Sequence, residues 1–338
     1  MMYKDVTIYT PISNTSSAYF GKISRSIKEL EKLSGYAKVK VGDQEISSIE
    51  IKYLFHRDLT IKKLFPPKAY KFFPKRKIFN KHFIRFKSRL TISNLEDFEK
   101  KQDFYIDFEY EVASFVRVLI IYMNLAKPGI FKTGDGKVII KEKTDRIEKR
   151  TEKFRPIFSL IGESLELREE LMWPPISELP FKVVFDFIQN HWAGIQNIPN
   201  NRVERAINTF SYIFHDNSLD NSASDLFYSV LGIEALFVSG HDNIQKQVDK
   251  KTQLLFGERK NFKKRFSQLY DFRSRYIHGQ LDIVNRFFLN GSDDQIYSKH
   301  MVPLYDNTLF AILIFVASIQ KHIELKKTEL EFEYKLKE

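Results

Sequence analysis

Cysteine is missing from all 338 residues. That excludes disulfides, thiol nucleophiles and thiolate-ligated zinc or iron–sulfur sites, and it fits a reducing compartment. Histidine is sparse, with eight copies. His191, His215, His241, His300 and His322 are scattered, with no His-x-x-x-His or carboxylate spacing, so neither a metal nor another cofactor is expected. Each reads as a surface or satisfied core histidine. The opening Met-Met-Tyr-Lys-Asp-Val-Thr-Ile has no apolar core of signal-peptide length. The longest apolar run, Leu309 to Val316, falls short of the roughly 18–20 residues that span a bilayer. A soluble, cytoplasmic protein with no membrane partner is expected. Internal repeats and low-complexity tracts are also absent. Between Leu59 and Leu95 there is not one acidic residue.

Lys and Arg number 54 against 43 Asp and Glu, a net charge of +11. The surplus favours a polyanionic partner, RNA among them. The acid-free stretch carries Lys68, Lys71, Lys75, Arg76, Lys77, Lys81, Arg85, Lys87 and Arg89, interleaved with Phe65, Phe72, Phe73, Phe79, Phe83 and Phe86. Cations that meet phosphates and rings that stack on bases make Lys75, Arg76, Lys77 and Arg85 candidate RNA contacts. A strand with a solvated basic face over an aromatic core gives the same alternation.

Hydrophobic residues make up 43% and aromatic residues 14%, including 31 Phe, enough for sizeable aromatic-rich cores. Residues 6–10, 37–41, 48–53 and 83–92 alternate as strands, and Gly42-Asp43 offers a hairpin turn between the second and third. Ser93-Asn-Leu-Glu96 has the form of a capping box. Glu111 to Ala126 has helical spacing and stops at Pro128-Gly129. Gly134-Asp-Gly136 before Lys137-Val-Ile-Ile140 suggests a second hairpin, and the charged stretch 141–150 a solvated strand end or helix. Residues 157–171 and 181–192 read as helices. Asn197-Ile-Pro-Asn-Asn201 is the best linker candidate. From Arg202 onward the pattern is helical. The expected architecture is α+β: a mixed β/α domain over residues 1–196, then an all-α bundle over 197–338.

The segment richest in chemistry is Leu269-Tyr-Asp-Phe-Arg-Ser-Arg-Tyr-Ile-His-Gly279, which ends the predicted helix 261–278. At 100° per residue, Arg273 falls inside the apolar stripe of Phe262, Phe266, Leu269 and Tyr276. A buried Arg needs a partner, and Glu234 interrupts the otherwise apolar Val230–Phe237. An Arg273–Glu234 pair is therefore expected. His278 falls on the opposite side with Asp271 and Ser274, about 140° from Arg273, so convergence of Arg and His favours a cleft shared by two protomers. A His acting as base or acid beside an Arg that stabilises developing phosphorane charge suffices to cleave RNA through its own 2′-OH. At a helix end, His278 can equally be a capping cation.

Arg273-Ser-Arg-Tyr-Ile-His278, with Leu231-Gly-Ile-Glu-Ala-Leu-Phe237 and Gln253-Leu-Leu255, resembles HEPN domains, in particular the ApeA-like branch, over roughly residues 200–325. The resemblance implies a helical bundle, Arg273 and His278 as the catalytic pair, and Glu234, Ser274, Arg275 and Asp271 in support. It further implies a homodimer through the bundle, RNA as substrate, metal-independent endoribonuclease activity, and a role in phage defence or as a toxin answering a phage-derived or other trigger. The alternative within the same family is a catalytically inactive RNA-binding or interaction module. The first domain then serves as a sensor or substrate selector.

Overall fold

The computed structural model describes residues 2–13, 26, 28–34, 39–41, 44–46, 49–55, 63–64, 82–92, 108–129, 131–143, 146–191, 198–215, 222–259, 263–282, 295 and 297–333. The class is α+β, in two compact units. The first comprises Met1–Met123 with Ile130–Phe158, the second Asn124–Gly129 with Ser159–Glu338.

The first unit is built on an antiparallel sheet. Its strands are β1 (Met2–Ser13), β4 (Glu50–Phe55), β5 (His82–Ile92), β6 (Lys132–Thr133), β7 (Gly136–Lys143) and β8 (Ile147–Phe154). The order is β4-β5-β1-β7-β8, with β6 also on β1. Strands β2 (Val39–Val41) and β3 (Gln44–Ile46) form a separate small hairpin. This corrects the expected pairing of 37–41 with 48–53, because β4 instead pairs with β5. The glycines at 134 and 136 do not close a hairpin either. Strands β6 and β7 both lie against β1, through Ile12–Thr133 and Tyr9–Lys137, so the glycines interrupt one edge. A Cβ at Gly136 would stand 2.5 Å from the Tyr9 carbonyl oxygen, so only glycine lets the backbones approach there. The antiparallel pair is β7 with β8, and residues 141–143 and 147–150 of the charged stretch form its solvated strand ends.

Alternation sorts the sheet's side chains. Val6, Ile8, Ile84, Phe86, Val138 and Ile140 point to one face and are buried. Helix α1 (Phe108–Ala126) is tied to that face by Glu109, which pairs with Lys4 of β1 at 2.5 Å and with Arg150 of β8. Its Val112, Val116, Leu119, Ile120 and Met123, spaced as expected, are buried. The Ser93–Glu96 capping box lies outside the described residues.

The second unit is helical: α2 (Ile161–Leu171), α3 (Phe181–His191), α4 (Arg202–Ser211), α5 (Ser222–Phe237), α6 (Ile244–Phe256), α7 (Lys263–Ile277) and α8 (Val302–Leu325), the last preceded by a π-turn (Tyr297–Met301). Helices α2 and α3 fall in this unit, whose start lies N-terminal to the boundary expected near 197. The Asn-rich segment works as a helix start. Asn201 accepts from the Glu204 amide at 2.9 Å, and the Glu204 carboxylate accepts from the Asn200 amide at 2.5 Å. Helix α8 is the axis of the unit. It packs on α5, α2, α7, α4 and α3, and residues 308–320 are all buried. By length and composition residues 298–325 could cross a membrane, but 72% of their most apolar window is buried within the fold. A Cβ at Gly232 of α5 would fall 2.1 Å from the Phe315 ring, so α5 and α8 meet at that glycine. Gln320 of α8 donates to the carbonyls of Leu125 and Ser177 at 2.9 and 2.7 Å and accepts from the Ser177 amide at 3.1 Å.

Candidate functional site

Helix α7 ends in a Schellman motif. The Gln280 amide reaches the Arg275 carbonyl at 2.7 Å and the Gly279 amide the Tyr276 carbonyl at 3.2 Å, with Gly279 at φ +65°. His278 is the C-cap residue, and its side chain is exposed. The helix is regular up to that point, so Arg273 and His278 keep their separation of about 140°.

Arg273 faces α5. Its Nη2 donates to Glu234 Oε2 at 2.9 Å, and the two side chains are 25% and 12% exposed. The expected pair is formed. Burial raises the Glu234 pKa, and the charge and hydrogen bond of Arg273 oppose that rise. The carboxylate thus needs its cation to stay ionised. Behind the pair lies Tyr270, 7% exposed. Burial and the nearby Glu234 charge push its hydroxyl well above the usual phenol range. Glu234 Oε1 and the Tyr270 hydroxyl are both buried without a hydrogen-bond partner among the described residues.

An aromatic surface flanks the pair. Phe227 of α5 lies 6.4 Å from Tyr276 of α7 and 5.4 Å from Tyr228, and Tyr228 stacks on Tyr212 at 4.5 Å. Tyr212, Leu231 and Ile277 are 56%, 41% and 44% exposed.

The supporting residues divide between faces. Ser274 is exposed. Asp271 and Arg275 line a cavity of about 800 Å³ between α7 and the start of α8, together with Lys264, Lys299, His300 and Asp306. Arg273, His278 and Glu234 do not line it. Arg85 lies in the first unit, on β5, where it pairs with Glu50. Lys75, Arg76 and Lys77 lie outside the described residues.

Two arrangements escaped the sequence reading. Arg259, 2% exposed, is held between the rings of Trp173 and Phe266, 4.9 and 4.2 Å from their centroids, and pairs with Asp249. Burial lowers its pKa to about 10, which leaves it charged at neutral pH. His215 meets the buried Asp225 at 2.5 Å. Both pairs join separate helices or loops, and local periodicity carries no signal for them.

Comparison with protein-family models, with curated proteins and with solved structures gives no match.

Proposed function

We propose that the chain is a metal-independent endoribonuclease of HEPN type, acting as a homodimer in phage defence or as a toxin. The observation that carries the reading is Arg273 held by Glu234 on a partly exposed aromatic surface, with His278 exposed at the end of the same helix. An Arg fixed by one carboxylate oxygen keeps further N–H groups for a phosphate. RNA supplies the nucleophile from its own 2′-OH, His278 moves a proton from the 2′-oxygen as it attacks or to the 5′-oxygen as it leaves, and Arg273 stabilises negative charge on the non-bridging phosphate oxygens. Because one helix holds the two residues on different sides, the productive site combines Arg273 of one protomer with His278 of another. The exposed Tyr212, Leu231 and Ile277 supply apolar area for that pairing. The buried α8 and the absence of cysteine support a cytoplasmic setting.

The separation of Arg273 from His278 also favours a second reading, a catalytically silent RNA-binding module on the same bundle. Mixing decides between them. Arg273→Ala and His278→Ala proteins are each expected to be inactive on RNA. Their mixture is expected to regain about a quarter to a half of wild-type cleavage, because mixed dimers contain one intact composite site. No cleavage by wild type, with salt-sensitive RNA binding retained, establishes the second reading.

A further inference from the structure

The pairing register of the first unit gathers cations that the sequence scatters. Tyr3, Asp5, Thr7 and Tyr9 of β1 stand on the face opposite α1. Opposite them lie Arg89, Lys87 and Arg85 of β5 and Lys143, Lys141 and Lys137 of β7. Strand β4 adds Lys52 beside Arg85, and β8 adds Lys149 beside Lys141 and Lys153 beside Lys137. Among the described residues one sheet face thus carries nine cations, contributed by four strands, against the two carboxylates Asp5 and Glu50 on its strands and Asp135 beside Lys153.

Both carboxylates are already neutralised, Asp5 by Arg89 at 2.5 Å and Glu50 by Arg85, while Lys153 meets Asp135 at 3.1 Å. Six lysines remain without an ion pair among the described residues: 52, 87, 137, 141, 143 and 149. Lys52, Lys141, Lys143 and Lys149 are exposed, and Lys87 and Lys137 are half-buried. The Tyr9 end of the face is closed by a cluster of Tyr9, Leu54, Phe83 and Ile139 under Leu64, so the open part is the end bearing Lys87, Arg89, Lys141, Lys143 and Lys149.

We infer that this sheet face binds RNA through its phosphates, without reading sequence. Like charges this close repel one another, which disfavours the folded state unless a polyanion lies across them. The Tyr3 ring is covered by Arg89 at 4.8 Å, so contact runs through charge rather than base stacking. A membrane surface is disfavoured because interfacial binding needs large apolar side chains beside the cations. Among the described residues of this face the exposed large apolar residue is Ile147, at the outer strand. The face is distinct from the Arg273 site and stands or falls independently of RNA cleavage.

The test uses the full chain and a 2′-O-methyl uridine oligonucleotide, which lacks the internal nucleophile and cannot be cut. Six phosphate contacts predict a slope of log affinity against log salt of about −4, at about −0.7 per contact. Lys141→Ala with Lys143→Ala and Lys149→Ala is expected to weaken binding at least tenfold and to flatten the slope by about 2. Arginine at the same three positions is expected to restore both. Removing three exposed lysines of the second unit, Lys246, Lys326 and Lys327, is expected to leave the slope unchanged. The inference is overturned if both triple variants flatten the slope equally, if neither does, or if the protein binds phosphatidylserine vesicles while ignoring the oligonucleotide.

Discussion

Replacing Arg273 with Ala leaves the Glu234 carboxylate buried without its cation. Breaking a fully buried pair in this way costs about 3–5 kcal/mol. Here the partners are 25% and 12% exposed, so water offsets part of the loss, and the expected cost near neutral pH is about 2 kcal/mol. The sign of the pH dependence follows from Glu234. Its pKa is raised in the folded state, so the folded protein holds more protons than the unfolded one above the ordinary carboxylate pKa. Glu234's contribution to stability is therefore greatest at low pH and is lost as pH rises through the folded value. Without Arg273 the folded value climbs further, and the variant's deficit grows between about pH 5 and neutrality. Glu234→Gln removes the titrating group, and in the Arg273→Ala background it is expected to recover at least 1 kcal/mol. Trp173 lies in the second unit, so urea unfolding followed by tryptophan fluorescence reports on that unit. A deficit that is the same at pH 5 and at neutrality, or a coupling energy below about 0.5 kcal/mol, refutes the reasoning.

Three further outcomes follow from packing and burial. Gly232→Ala forces a methyl group into the Phe315 ring, which also meets Phe210 edge-on at 5.6 Å; a loss of about 3 kcal/mol is expected in urea unfolding. Arg259→Ala empties the space between Trp173 and Phe266 and is expected to cost about 3 kcal/mol, with a change in Trp173 emission, whereas an unchanged midpoint would mean the cation contributes nothing. His322 is fully buried, its Nδ1 donates to the Lys327 carbonyl at 2.8 Å, and burial lowers its pKa. The folded protein therefore resists protonating it, and stability falls as pH drops below the ordinary histidine value. His322→Phe is expected to flatten that acid limb of a stability–pH profile.

The sequence carried local information well and long-range pairing poorly. The 3.6-residue spacing located α1 and α5 to α8, and the Arg273–Glu234 pair was legible because each charge interrupts an apolar helical stripe and so requires a partner. An Asn-rich segment serves equally as a linker and as a helix cap, and the Asn201 and Glu204 hydrogen bonds make this one a cap. The second hairpin differs because glycine marks both turns and close backbone approaches, and Gly136 is the latter; the first keeps strand 39–41 but pairs it with 44–46 rather than 48–53. The basic sheet face was invisible because Lys87, Lys141 and Lys149 come from three strands, and only the register sets them side by side.

The most direct measurement of the nuclease reading is end-group analysis of RNA incubated in metal-free buffer with wild type and with His278→Ala. Wild type is expected to leave 2′,3′-cyclic phosphate and 5′-hydroxyl ends and the variant intact RNA, because the 2′-OH is the nucleophile and His278 moves its proton. Products ending in 5′-phosphate, or undiminished cleavage by His278→Ala, would contradict it.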